Sequence, residues 1–150
     1  MTTDPIVIVG AARTPMGGFQ GDLSALTASE LGGAAIKAAL DRAGVDAAHV
    51  DELLMGCVLP AGQGQAPARQ AGFHGGLGES VPASTLNKMC GSGMKTVMMA
   101  HDQLMAGNGR VVVAGGMESM TNAPYLLPAM RGGARLGHGQ AKDHMFLDGL

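Results

Sequence analysis

Ala83-Ser84-Thr85-Leu86-Asn87-Lys88-Met89-Cys90-Gly91-Ser92-Gly93-Met94-Lys95 reads as a strand (Ala83 to Asn87), a glycine-rich turn and the opening of a helix. The helix, of small residues and methionines, runs from about Ser92 to Ala106 and is closed by Gly107-Asn108-Gly109. Arg110-Val111-Val112-Val113-Ala114-Gly115 follows as a buried strand. Strand, helix and strand at this spacing imply a right-handed crossover within a mostly parallel sheet. Working outward, Glu52 to Val58 predicts another strand and Ala66 to Phe73 another helix. Thr27-Ala28-Ser29-Glu30 is a capping-box signature. Leu31, Ala34, Ala35, Ala38 and Ala39 then recur at helical spacing up to Ala43-Gly44. The run Pro5-Ile6-Val7-Ile8-Val9-Gly10 is continuously apolar and predicts a strand covered on both faces. From Thr121 onward the pattern dissolves into Pro, Gly and scattered charge.

Composition narrows the function classes. At 150 residues, 46% hydrophobic and 15% charged, the chain fits one domain burying about 70% of its unfolded surface. A formal charge of −2 gives no basic footprint for nucleic acid or an anionic membrane. No run approaches about 18 apolar residues, so no membrane span is expected. Met1 to Gly10 carries Asp4 and no Lys or Arg, which argues against a signal or transit peptide. Two cysteines make no disulfide framework and point to a reducing, cytoplasmic location. No metal is expected: His138 and His144 lack ligand spacing, and neither cysteine belongs to a CxxC pair.

Chemistry concentrates at Cys90. A free thiol, with a pKa of about 8.5, is a few per cent thiolate at pH 7. A helix N-terminus supplying up to ~2 kcal/mol would bring it toward about 7. That leaves a neighbouring base still necessary. The N–H groups of Cys90 and Gly91 offer an oxyanion site, and Gly91 and Gly93 would let a substrate approach the backbone. The competing reading makes Cys90 a small residue buried at a tight turn. The run Gly91 to Thr96 fails as a phosphate loop, because Met94 and Met89 stand where glycines are required. Cys57 reads as packing, and Met94, Met98, Met99, His101 and Met105 as helix core. Glu118, just past a strand, fits either an active-site loop or a structural carboxylate bonded to backbone.

Three segments in register resemble the thiolases, in particular acetyl-CoA acetyltransferases and 3-ketoacyl-CoA thiolases. They are Val9 to Pro15, Asn87 to Lys95 and Gly115 to Tyr125. The resemblance implies an α/β fold forming the N-terminal thiolase half, a mostly parallel mixed sheet with helices on both faces. Residues 1–120 would form the βαβαβαβ core and residues 121–150 the start of a loop-domain excursion. It implies Cys90 as the nucleophile that takes an acyl group from acyl-CoA, with coenzyme A as substrate or product and no permanently bound cofactor. Claisen condensation of two acyl-CoA molecules, or thiolysis of a 3-ketoacyl-CoA, would follow. The family's remaining catalytic groups are a histidine in Gly-His-Pro, an asparagine in Asn-Glu-Ala and a C-terminal cysteine. None of these motifs occurs in the 150 residues. A complementary chain carrying the C-terminal half is therefore expected, and homo-oligomeric contacts through Ala83 to Asn87. A related condensing enzyme, or a catalytically dead remnant serving assembly or acyl-CoA binding, are the alternatives.

Overall fold

The computed structural model describes residues 5–150. The leader reading made on Met1 to Gly10 falls partly outside that range. Thr27 caps α1 (Ala28–Ala43) by both halves of the expected box. Its hydroxyl accepts the Glu30 N–H, and the Glu30 carboxylate accepts the Thr27 N–H at 2.7 Å. That bonding holds the Glu30 carboxyl below its ordinary pKa. Gly44, at φ 64°, ends the helix in the left-handed conformation that glycine adopts without a Cβ clash.

Three parallel strands form the central sheet: β1 (Glu52–Gly56), β2 (Ala83–Leu86) and β3 (Val112–Gly116). Their order is β2-β1-β3, with Leu53 opposite both Ala83 and Val113. Side chains alternate across a strand, so β1 separates two packing layers. Leu53, Met55 and Cys57 join Ile36, Ala68 and Ala71 in the core beneath α1 and α2 (Pro67–His74). On the other face Gly56 meets the first turn of α3 (Ser92–Met105). Helices thus cover both faces. This sheet is parallel throughout, and β4 (Tyr125–Leu126) and β5 (Lys142–Asp143) form a separate antiparallel pair. Gln20 N–H donates to Thr121 Oγ1 at 2.8 Å, and Asn122 Nδ2 donates to the Ser24 and Leu26 carbonyls. The segment after β3 is thereby tied to the loop before α1.

Two expectations are corrected. Residues 5–10 form no strand; Val7, Ile8 and Val9 are 63%, 81% and 62% exposed. Gly10 is wedged against Ala39 and Ala43 of α1, and Arg42 holds the Ala11 carbonyl at 2.7 Å. Between this segment and β3 lies an apolar groove of about 350 Å³, where a paired strand would close the gap. An apolar run of this kind needs cover on both faces, and the described residues do not provide it. Nor is the methionine stripe of α3 core. Met94, Val97, Met98 and Met105 are exposed and Met99 is half-buried, because the helix packs through Ser92, Thr96 and Ala100 and no described residue covers its far side. His101 is exposed beside Asp102.

Among the described residues, no helix is long and apolar enough to cross a membrane. Nor do three His, Cys, Asp or Glu side chains gather there as a metal site.

Candidate active site

Cys90 stands between β2 and α3, exposed to solvent, one residue before the helix cap Gly91. The first full helical bond runs from the Lys95 N–H to the Gly91 carbonyl at 2.9 Å, so Cys90 stands at the amino end of α3. Of the two amides expected to serve an oxyanion, that of Gly91 donates to the Lys88 carbonyl at 3.1 Å. The Cys90 N–H meets no acceptor among the described residues. Gly93 is part of a close backbone contact. It lies against the backbone of Gly116, where a Cβ on Gly116 would come within 3.1 Å of the Gly93 Cα. A Cβ at Gly56 would sit 2.6 Å from the carbonyl carbon of Ser92. Glycines at the ends of β1 and β3 thus let the turn that carries Cys90 rest directly on the sheet. Thr96, fully buried, donates from its hydroxyl toward the Gly93 and Gly115 carbonyls and pins the helix to β3.

The turn itself is strained. Met89 adopts φ 48°, a left-handed conformation that costs a non-glycine residue about 1–3 kcal/mol. Asn87 Oδ1 accepts the Met89 N–H at 2.9 Å. Ser92 Oγ accepts the Lys88 N–H at 2.9 Å and donates to the Met89 carbonyl at 2.5 Å. Neither side chain had been singled out in the sequence. The Asn87–Met89 spacing is a legible signal, since Asn commonly bonds the amide two residues on. Ser92 gives no such sign.

Cys57 and Glu118 settle as structure. Cys57 is 1% exposed, and burial, with the Glu118 carboxylate 3.5 Å away, pushes its thiol from 9.0 up to about 11. Glu118 accepts the Val58 and Leu59 N–H groups, each at 2.9 Å. A carboxylate satisfying two adjacent amides at the exit of β1 is a loop anchor. His138 stays exposed in the segment before β5. His144 is buried, its Nδ1 2.6 Å from Asp148 and its Nε2 facing the Ala61 N–H at 3.4 Å.

Over this geometry, the family model for the thiolase N-terminal domain matches residues 6–150. The chain belongs to the thiolase family. It is 54% identical over 145 residues to the acetyl-CoA acetyltransferase of Cupriavidus necator, covering 97% of this chain and 37% of that protein. It is also 54% identical over 149 residues to the mitochondrial acetyl-CoA acetyltransferase A of Xenopus laevis, covering 99% and 35%. The Escherichia coli acetyl-CoA acetyltransferase is 53% identical over 145 residues, covering 96% and 37%. This thiolase domain therefore spans just over a third of the length of these relatives.

Proposed function

We propose that this domain supplies the acyl-accepting nucleophile of an acetyl-CoA C-acyltransferase. The observation that carries the reading is Cys90, exposed at the amino end of α3 with its own amide unengaged. Cys90 loses its proton to a base, and the thiolate attacks the thioester carbonyl of acyl-CoA. The carbonyl oxygen gathers negative charge, which the Cys90 N–H stabilises. The carbon–sulfur bond to coenzyme A breaks, coenzyme A leaves with a proton, and an acyl-cysteine remains. Condensation with a second acyl-CoA, or thiolysis run in reverse, completes turnover. Coenzyme A is substrate and product, with no resident cofactor, and the role is in fatty acid metabolism in the cytoplasm.

The base and the remaining groups come from a C-terminal thiolase half, on the same polypeptide or on a second one. The exposed apolar side of α3 supports this, since Met94 (72% exposed) and its neighbours form a face that water disfavours. Residues 1–120 are the core and residues 121–150 open the loop domain. The β2 edge carries the homotypic contact through Ala83 to Asn87. Its other edge is occupied by β1, and an open parallel edge is a template for pairing.

Incubation with radiolabelled acetyl-CoA tests the reading, using the domain together with its C-terminal half. Label on the wild type and none on Cys90→Ala is the expected outcome. Absence of label on the wild type would favour an assembly or acyl-CoA-binding module.

A further inference from the structure

We infer that Ser92 is a positioning residue for Cys90: its buried hydroxyl holds Met89 in the left-handed conformation that aims the Cys90 sulfur and amide outward. The inference rests on the acyl-transfer reading above. Ser92 is 5% exposed and packed against Gly56, so its hydroxyl is fixed where solvent does not replace it. It bonds both residues preceding Cys90, accepting from Lys88 N–H and donating to the Met89 carbonyl. The Ser92 N–H also donates to that carbonyl, at 2.9 Å. One residue therefore ties the peptide group before Lys88 and the peptide group after Met89, which flank the left-handed turn, to the first turn of the helix. Asn87 adds a fourth hydrogen bond, at the Met89 N–H. A methionine does not hold φ 48° unaided, because its Cβ crowds the backbone there. If the turn relaxed toward negative φ, the direction of the following peptide, and with it the Cys90 N–H and Sγ, would swing.

Glycine occupies the left-handed region without that crowding. This separates a positioning role from simple packing. In the domain joined to its C-terminal half, the rate of Cys90 acetylation by acetyl-CoA is measured for wild type, Ser92→Ala, Met89→Gly and the double variant. Ser92→Ala is expected to slow acetylation tenfold or more with its thermal unfolding transition intact, and Met89→Gly to restore most of that loss. A Ser92→Ala rate within twofold of wild type overturns the inference. So does a double variant no faster than Ser92→Ala, which would make Ser92 a packing residue only. Should Ser92→Ala not fold, Ser92→Cys, which keeps the side-chain shape but weakens both hydrogen bonds of the hydroxyl, takes its place with the same expected rescue by Met89→Gly. A wild type that accepts no acetyl group instead refutes the acyl-transfer reading, so the two failures are distinguishable.

Discussion

Two thiols in one chain are driven apart by their surroundings. Cys57 lies in the core beside a carboxylate, and its pKa rises to about 11, whereas Cys90 is open to solvent at a helix terminus. Iodoacetamide near neutral pH should therefore alkylate Cys90 and spare Cys57 in the folded protein, as read by peptide mass mapping. The same shift has a stability consequence. Between pH 9.0 and about 11 the unfolded thiol has lost its proton while the folded one keeps it. The unfolded state then binds fewer protons, so stability falls as pH rises through that window. Melting curves across it should show a steeper decline for wild type than for Cys57→Ala. Glu118 is the other residue whose environment decides its role. Glu118→Ala strands the Val58 and Leu59 amides and should cost about 3 kcal/mol in denaturant unfolding, with Glu118→Gln milder.

The elements show where the sequence was legible. The Thr27–Glu30 box and Gly44 define α1 because capping is local chemistry, complete within a few residues. The strand-turn-helix through Cys90 was equally readable from its glycine-rich turn. Two features escaped. Ile6 to Val9 has the composition of a covered strand, but composition reports what a segment needs rather than what its neighbours supply. Met94, Met98 and Met105 carry the helical spacing of a core face, and periodicity does not say whether anything packs on it. The glycines gave their positions but not their reason. Gly56 and Gly116 serve the close approach of α3 to the sheet, a relation between segments far apart in sequence. Gly56→Ala should accordingly force the α3 turn away from β1 at a cost of about 1–3 kcal/mol, and slow Cys90 acetylation with it. Denaturant unfolding and labelling of the same preparation check both effects.

At the scale of the whole molecule, the described residues hold a core under α1 and α2 and a bare apolar side on α3. The groove between residues 6–10 and β3 lies on that incomplete flank. The 150 residues expressed alone should bind a hydrophobic dye and self-associate; a soluble, monomeric, cooperatively folding fragment would speak against a missing packing partner. Ser92, Asn87 and Glu118 are all turned toward holding one loop and one turn at the strand ends, which is where open α/β sheets place their chemistry. The acyl-transfer reading stands or falls at one sulfur within that arrangement. Brief exposure of the domain and its C-terminal half to acetyl-CoA, followed by acid quench and peptide mass mapping, examines it directly. An acetyl group on the peptide containing Cys90, removable by hydroxylamine, is the expected result. Unmodified Cys90, or acetyl found only on other residues, would contradict it.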